Sequence, residues 1–437
     1  MTAPTTPRRP VGGGGWSAAR VRSWSRETFA ALDEPNYRRY FLGQAISFVG
    51  TWMQMVAQAW LVLTLTGSAV WVGIVVAVQT LPVLVVGPYG GLVADRADKR
   101  RMLIALQGVM AVLAAALAVL TITERVQLWQ VLVLAGLMGS ADAFEKPARQ
   151  AFVFELVGAD RVRNAVSLNS VMVNVARVLG PGVAGLIIAA GGIGLCFALN
   201  ALSYVPIALL LVGLDPGRLR PSPPQPHERG QVRAGLAYVR GEPRLAVPLV
   251  MMAIMGCLTY EFPVTLPVLA KESFGGDART FGAMTAAMAA GSVAGGLWTA
   301  ARGRTGIATL VRSSVLFGVL ILLTAVAPGV EVAMLLLVGV GAASVSVMAR
   351  GNATLQLHAD PTMRGRVMAL WLVAFLGTTP LGGPLAGWVA ATFGPRWGLV
   401  LGALGCLLAA AVGAWAVLGT GGRAGPRAEV RESRAAP

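Results

Sequence analysis

The sequence predicts an all-α membrane protein with twelve transmembrane helices arranged as two pseudo-symmetric six-helix bundles. Of its 437 residues, 55% are hydrophobic and only 13% are charged, a balance that is typical of membrane proteins rather than of soluble domains. Apolar runs of about 20 residues, the length that crosses a bilayer, recur twelve times. A polar segment separates the sixth run from the seventh, and parts of the two halves repeat each other in sequence.

The first half begins after an N-terminal tail, residues 1–39, which we expect to be cytoplasmic. Its bundle, residues 40–214, is predicted from apolar runs bounded by charged or turn-forming residues. These runs are 40–66, 69–93, 101–122, 128–147, 164–190 and 193–214. Because short loops join the runs, consecutive helices are expected to cross the membrane in opposite directions.

A cytoplasmic linker is predicted at 215–243, because its opening DPGRLRPSPPQPHERG contains prolines and charges that cannot cross a bilayer. Its continuation, GQVRAGLAYVRGEPRL, has the composition of a short surface helix. The C-terminal bundle, residues 244–420, is predicted from the runs 244–270, 280–301, 306–326, 331–351, 366–391 and 397–419. Residues 421–437 form a second predicted cytoplasmic tail.

Basic residues concentrate on one side of the predicted bundle. The chain has 36 lysines and arginines and a formal net charge of +16, and 31 of the 36 fall in the tails, the linker and the loops on the same side. The positive-inside rule makes this side cytoplasmic. We therefore expect a protein of the cell membrane with both termini in the cytoplasm. Nucleic-acid binding is not expected, because the basic residues are spread over alternate short loops instead of clustering on one face.

The residue types that hold cofactors and metals are scarce, so neither is expected. The three cysteines lie in apolar runs without paired spacing, and the two histidines fall in separate loops. No lysine follows a glycine, so the chain lacks a Walker A motif. A GxGxxG pattern at 180–185 lies inside an apolar run, where glycine and proline bend helices or allow close packing. The expected helix-bending residues are Gly180, Pro181, Gly185, Gly383, Pro384 and Gly387.

A dense group of charges, GGLVADRADKRRM at 90–102, separates two apolar runs and must lie at a membrane surface. A weaker copy, GGLWTAARGRTGIAT, occurs at 295–309 with Ala300 in the place of Asp95, and GPGVAG at 180–185 is echoed by GPLAG at 383–387. Duplication of a six-helix unit explains both pairs. Such halves hold a binding site between them and expose it alternately to the two sides of the membrane.

These residues resemble the major facilitator superfamily. The superfamily signature of the loop between helices 2 and 3, GxxxD(R/K)xG(R/K)(R/K), matches Gly91, Asp95, Arg96, Lys99 and Arg100, with Asp98 at the usual second glycine. The segments PARQAFVFELV, NAVSLNS, RVLGPGVAG and MRGRVMALW are similar to its drug- and siderophore-exporting branch, which includes the enterobactin exporter. The arginine-bearing fourth-helix motif of classical proton-coupled drug antiporters is not evident in LVLAGLMGSADAF.

A cytoplasmic gate is predicted at the basic loop. Asp95 ends helix 2 and can face the positive N-terminus of helix 11 near Arg364, a contact that the family resemblance also implies. Asp142 and Glu145, one turn apart, are expected to pair with residues of the basic loop, Arg96 or Arg101, and to separate when the gate opens. Lys99 and Arg100 fit a solvated loop equally well. The predicted gating residues are Gly91, Asp95, Arg96, Lys99, Arg100, Arg101, Asp142, Glu145 and Arg364.

Polar residues inside two apolar helices predict a transport path. In helix 1, a spacing of three or four residues places one set along a single face: Gln44, Ser47, Thr51, Gln54 and Gln58. Helix 5 repeats this spacing with Ser167, Ser170, Asn174 and Arg177. Arg177 lies roughly 20 Å into its helix, too deep to reach the surface and costly unless it faces a cavity or an acid. Hydrogen-bonding seams between helices are the alternative for both sets.

Glu261 is the one acid well inside a predicted span of the second half. A carboxylate at such depth marks a functional site, and three roles remain open. It can bind a proton, contact a cationic group of the substrate, or form an extracellular gate pair with Lys271. The working hypothesis is that protonation of Glu261 alternates with substrate binding.

Together these features predict a monomeric secondary active transporter. We expect it to export a small amphipathic molecule, such as a drug, a siderophore or a secondary metabolite, by alternating access coupled to proton antiport. Its expected partners are the substrate, protons and the lipid bilayer. An uptake carrier, a membrane-embedded lipid-modifying enzyme and a non-transporting scaffold remain alternatives, although the chain has neither a GxSxG motif nor a catalytic histidine or cysteine constellation.

Overall fold

The structure, a computed structural model, describes residues 29–220, 231–302 and 305–421, and these residues are almost entirely helical. Within them, eleven helices are long and apolar enough to cross a membrane. One of these is a stretch of 64 residues, about 96 Å long at 1.5 Å per residue, whereas the bilayer core is about 30 Å thick. This stretch therefore holds two crossings, and the prediction of twelve transmembrane helices is confirmed.

The long stretch divides at one glycine. Gly158 has a φ of 73° and a ψ of 179°, values that are not helical and that glycine adopts without strain. A Cβ at this position would also lie 2.3 Å from Nη1 of Arg220. The helices of the N-terminal half are α1 (Pro35–Thr66), α2 (Ala69–Arg96), α3 (Lys99–Ile122), α4 (128–157), α5 (159–191) and α6 (Ile193–Val212).

In the rest of the chain, two of the predicted helices are broken. The predicted helix 244–270 consists of α8 (Pro243–Leu258) and α9 (Phe262–Val268), followed by a π-helical turn at Leu269–Ser273. The predicted helix 366–391 consists of α13 (Arg364–Leu376) and α14 (Thr379–Phe393). Pro263 and Pro380 each lie in the first turn after a break, where a proline fits because its missing N–H is not needed. The helices are α7 (Gln231–Gly241), α8 (Pro243–Leu258), α9 (Phe262–Val268), α10 (Ala278–Arg302), α11 (Ile307–Ala325), α12 (Val330–His358), α13 (Arg364–Leu376), α14 (Thr379–Phe393) and α15 (Pro395–Gly421).

Several helix ends differ from the apolar runs. α1 begins at Pro35 instead of 40, α2 ends at Arg96 instead of 93, and α12 ends at His358 instead of 351; α4 reaches 157 instead of 147. Hydropathy detects the part of a helix that lies in lipid, whereas a helix can continue into water with polar side chains. Of the predicted tails, residues 1–28 and 422–437 lie outside the described part of the chain.

The two halves repeat the same packing pairs. α2 packs on α4 as α10 packs on α12, α3 packs on α6 as α11 packs on α15, and α1 packs on α6 as α8 packs on α15. The halves meet each other mainly through α2 with α14 and α5 with α10. These corresponding contacts support the duplicated architecture that the repeated sequences predict.

The predicted surface helix of the linker is α7. Its Tyr238 hydroxyl donates a hydrogen bond of 3.1 Å to Oδ2 of Asp360, just before α13. A Cβ on Gly235 would lie 3.1 Å from Cβ of Arg366, so α7 packs closely against the start of α13. Residues 221–230 of the linker lie outside the described part of the chain.

Candidate transport site and gates

The first close crossing between the halves joins α2 to α14. A Cβ on Gly73 would lie 2.2 Å from the carbonyl oxygen of Gly383, and a Cβ on Gly387 would lie 2.4 Å from that of Ala69. Ala69 is the first residue of α2, so the contact lies at the end of the bundle opposite the basic loop. We call the end of the bundle that carries the basic loop the basic end, and the other end the opposite end. Only glycine allows backbones to approach this closely.

The second close crossing joins α5 to α10 in the corresponding position. A Cβ on Gly282 would lie 2.5 Å from the carbonyl oxygen of Pro181, and a Cβ on Gly185 would lie 3.0 Å from that of Ala278. Ala278 is the first residue of α10, so this contact is also at the opposite end. The two glycine-lined crossings therefore close the opposite end of the interface between the halves.

The residues that the sequence predicts to bend helices instead allow helices to pack closely. Gly158 is the non-helical residue within 128–191, so α5 stays helical through Gly180 and Pro181, and α14 likewise continues through Pro384. A Cβ on Gly180 would lie 2.5 Å from Cβ of Trp52 in α1. Small residues here bring helices together, and the actual bend of the predicted eleventh helix lies between α13 and α14.

Glu261 lies at the break between α8 and α9, beside the α2–α14 crossing. It is 2% exposed, and both of its carboxylate oxygens lack a hydrogen-bond partner among the described residues. A Cβ on Gly382 would lie 2.6 Å from Oε1, and a Cβ on Gly383 would lie 3.4 Å from Oε2. The predicted gate pair with Lys271 is not among the ion pairs of the described residues. Glu261 is thus a buried acid without a compensating charge.

Arg177 projects from α5 into the interface between the halves. Its guanidinium lies 4.8 Å from the centroid of the Trp52 ring in α1, and its buried Nε has no hydrogen-bond partner among the described residues. Tyr260 of the second half lies near this guanidinium. Tyr260 is the neighbour of Glu261 in the chain, so a basic and an acidic group flank the interface without forming an ion pair with each other.

The polar stripe of α1 is divided between two roles. Asn200 of α6 donates a hydrogen bond of 2.6 Å to Gln54, and Gln58 donates one of 3.0 Å to Gln79 of α2. These two glutamines therefore form a hydrogen-bonding seam between helices, which was the alternative to a transport path. Thr51 is exposed and donates to the carbonyl oxygen of Ser47 within its own helix, at 2.9 Å.

Gln44, at the basic end of this stripe, is only 2% exposed. Its Oε1 atom has no hydrogen-bond partner among the described residues. A buried amide oxygen without a partner is unusual, so Gln44 stays a candidate for the transport path.

The polar stripe of α5 makes no seam with a neighbouring helix. Ser167 and Ser170 donate to the carbonyl oxygens one turn earlier, both at 3.0 Å, and Asn174 donates to that of Ser170 at 2.8 Å. The two serines are exposed. The hydrogen bonds of these side chains are satisfied within α5, and the exposed serines lie on this helix between its basic end and Arg177.

Acidic residues of the predicted gate have partners within α4. Asp142 pairs with Lys146 at 2.9 Å, and Glu145 pairs with Arg149 at 3.0 Å. Both pairs join residues four apart, which face each other on one side of a helix. The expected pairing of these acids with the basic loop, which separates when the gate opens, is not among the ion pairs of the described residues and stays a prediction for a closed gate.

The predicted partners in the basic loop have other environments. Arg101 pairs with Asp98 at 3.5 Å, and Arg96 is exposed. Lys99 and Arg100 do not form a solvated loop. Arg100 donates a hydrogen bond of 2.7 Å to the carbonyl oxygen of Leu211 at the end of α6, and Lys99 is buried.

The first two residues of α13 are exposed in this conformation. Arg364 and Gly365 are both exposed, and a Cβ on Gly365 would meet nothing within 4 Å; the same is true of Gly91 in α2. The contact between Asp95 and the start of α13 that the sequence predicts for a closed gate stays a prediction. The basic end of the interface is more open than the opposite end.

Sequence reasoning missed the strongest ion pair at the basic end. Nζ of Lys99 lies 2.8 Å from Oε1 of Glu155, and the two side chains are only 7% and 10% exposed. The pair joins α3 to α4. The residues are far apart in sequence, and no local spacing marks them as partners.

Removing one member of this pair should destabilise the protein. We expect Lys99→Ala to lower the free energy of unfolding by about 3–5 kcal/mol, because it leaves the Glu155 carboxylate buried and unpaired. Lys146→Ala is the matched control, since its pair with Asp142 is more exposed and should contribute at most about 1 kcal/mol. Unfolding in detergent measures both. Equal losses for the two variants would contradict the assignment.

Comparisons with known proteins agree with this fold. Residues 26–428 match the sequence model of a family described as transmembrane secretion effector. The staphyloferrin A transporter of Staphylococcus aureus is 27% identical over 362 residues, which are 81% of this chain and 89% of that protein. The enterobactin exporter EntS of Shigella boydii is 26% identical over 63% of this chain and 66% of that protein. Macrolide efflux protein A of Streptococcus pyogenes is 21% identical over 58% and 64%.

Two solved structures share the architecture. A bacterial homologue of the human lysosomal transporter Spinster, in an inward-facing and unoccupied conformation, has a TM-score of 0.69 and 14% identity, covering 87% of this chain and 96% of its own. The nucleoside transporter NupG has the same TM-score and identity, covering 89% of this chain and 98% of its own. The chain therefore belongs to the transmembrane secretion effector family of the major facilitator superfamily, as a multi-pass membrane transporter of small molecules and not an enzyme.

Proposed function

We propose that this transporter exports a small amphipathic molecule by alternating access and that it exchanges the molecule for protons. The observation that carries the proposal is the buried, unpaired carboxylate of Glu261 beside the α2–α14 crossing. A charge buried without a partner costs several kcal/mol. Closure of the crossing over Glu261 and protonation of its carboxylate are therefore thermodynamically linked.

The orientation follows from the distribution of charge. The loops at the basic end carry most of the arginines and lysines, and the positive-inside rule assigns such loops to the cytoplasm. The two glycine crossings then close the extracellular side, and the exposed start of α13 belongs to an open cytoplasmic side. We assign the chain to the cell membrane as a monomer with both termini in the cytoplasm.

The substrate site we propose is the space between Arg177 and Tyr260. The α5 stripe of Ser167, Ser170 and Asn174 leads to it from the basic end, and Trp52 supplies an aromatic face beside the guanidinium. One buried arginine and several aromatic rings suit a bulky molecule with a single weakly acidic group. Siderophores, the substrates named for two of the relatives above, are the first candidates to test, and a macrolide, which carries a basic amine, is the contrasting probe.

The proposed cycle couples three events at the interface. Substrate entering from the cytoplasm binds near Arg177 and displaces the proton from Glu261. The carboxylate then carries an uncompensated charge inside the α2–α14 crossing, which favours separation of the two helices and opening toward the outside. After the substrate leaves, an external proton neutralises Glu261, and the crossing closes again.

Flux through reconstituted vesicles tests the function. Enterobactin, staphyloferrin A and a macrolide serve as probes, each measured with and without an imposed pH gradient. We expect at least one probe to move uphill without chemical change when the gradient is present. Gradient-independent flux would contradict proton antiport, and absence of flux for all three would contradict the proposed substrate class.

Arg177→Gln tests the proposed substrate site. Loss of a charge-assisted hydrogen bond should raise the half-saturating concentration of an acidic probe about tenfold or more, whereas Arg177→Lys should be less affected because it keeps the charge. Arg125→Gln is the control, as an exposed arginine in the loop between α3 and α4. An unchanged half-saturating concentration in Arg177→Gln would show that the arginine does not contact the substrate.

A further inference from the structure

A groove on the second half lies away from the interface between the halves. α10 and α11 both pack on α12, and between them they leave a cavity of about 520 Å³. Apolar side chains of Trp298, Leu316 and Leu320 form much of its wall. Trp298 is 56% exposed and Leu316 is 54% exposed, so the groove opens at the surface of the bundle. In a membrane this surface faces lipid.

The groove carries positive charge that no acid neutralises. Arg312 of α11 and Arg350 of α12 both line it, and neither belongs to an ion pair of the described residues. Arg350 donates a hydrogen bond to Ser313, yet its Nε is buried without a partner among the described residues. Two arginines with unused donors in a lipid-facing groove require an anionic ligand for compensation.

The position of the charges matches a phospholipid headgroup. Arg312 lies five residues after the start of α11, and Arg350 lies eight residues before the end of α12, about 8 Å and 12 Å from the basic end at 1.5 Å per residue. Arg302, at the end of α10, stacks on Trp298 with its guanidinium 3.8 Å from the ring centroid. Tryptophan and arginine at this depth are typical of the membrane interface.

We infer that this groove binds an anionic phospholipid of the basic-end leaflet. Arg312 and Arg350 hold the headgroup phosphate. The acyl chains lie along Leu316 and Leu320 toward the bilayer centre. Basic pockets between transmembrane helices recognise lipid phosphates in this way. The α10–α12 groove is separate from the proposed substrate site, since it is built entirely from the second half.

Lipid titration of the purified, full-length protein tests this inference. In neutral detergent, phosphatidylglycerol should bind and raise the thermal unfolding midpoint, whereas phosphatidylcholine should not. Each arginine should contribute about fivefold to the affinity. Arg312→Gln should therefore weaken phosphatidylglycerol binding about fivefold, and Arg312→Gln/Arg350→Gln about 25-fold. Arg163→Gln is the matched control, because Arg163 is an exposed arginine of the same end outside the groove.

Two further measurements keep the outcome decisive. If the double variant fails to fold, Arg312→Gln alone carries the test, because the Arg312 side chain is exposed. Glycerol 3-phosphate should not bind at the concentrations where phosphatidylglycerol does. Equal binding of glycerol phosphate, equal binding of phosphatidylcholine, or unchanged phosphatidylglycerol binding in Arg312→Gln would each overturn the proposal.

Discussion

Glu261→Gln is expected to abolish uphill transport and to leave a slower exchange of substrate across the membrane, because no charge then favours opening of the α2–α14 crossing. Glutamine has nearly the same shape as glutamate but carries no charge and does not release a proton. The α2–α14 crossing should then close in every cycle, so that substrate still moves down its own gradient. Accumulation driven by a pH gradient should fall to the level of protein-free vesicles, because no titrating group remains at the crossing.

Glu272→Gln is the matched control for this experiment. Glu272 is an exposed acid eleven residues later at the opposite end, and its replacement should leave gradient-driven accumulation unchanged. Vesicles loaded with unlabelled substrate and supplied with labelled substrate outside measure the exchange. Retained uphill accumulation in Glu261→Gln would remove this residue from the coupling mechanism.

Gly73→Ala should shift the transporter toward the conformation that is open at the opposite end. The added Cβ would lie 2.2 Å from the carbonyl oxygen of Gly383 and 2.8 Å from the nitrogen of Pro384. These are backbone atoms that do not move aside as a flexible side chain does. Overpacking costs about 1–3 kcal/mol, which corresponds to a shift of about 5–150-fold in the balance between conformations.

Distances between spin labels at Thr123 and Glu331 report this shift. Both positions are exposed at the opposite end, one in each half. We expect a longer distance and slower transport in Gly73→Ala. Gly87→Ala is the control on the same helix, because a Cβ there would meet nothing within 4 Å. Identical distance distributions in the two variants would mean that α2 and α14 do not form the closing contact.

The number and order of the membrane helices were predictable from the sequence, because the thickness of a bilayer demands apolar runs of a given length. The positions at which helices break were not predictable from the sequence. Prolines 181, 206, 248 and 384 lie inside continuous helices, whereas Pro263 and Pro380 follow breaks. Whether a proline interrupts a helix depends on neighbouring helices that satisfy the freed carbonyls, which a single sequence does not reveal.

Individual ionisable residues of the candidate site could be predicted from the sequence. The residues that contact them in the fold could not. Glu261 and Arg177 are conspicuous because ionisable groups deep in apolar runs are costly. The Gly382–Gly383 surface against Glu261 and the pairing of Lys99 with Glu155 join residues that are far apart in the chain. The partners that Asp142 and Glu145 have in this conformation, a lysine and an arginine one turn away on α4, were also missed, although their spacing of four residues is visible in the sequence.

Proton movement during transport tests the coupling most directly. A pH-sensitive dye inside vesicles with no imposed gradient would record the proton flux that follows addition of a transported probe on one side. We predict that protons move opposite to the probe through the wild-type protein and that this flux disappears in Glu261→Gln while the probe still crosses. Probe movement through the wild-type protein without any opposing proton flux would contradict the proposed proton antiport.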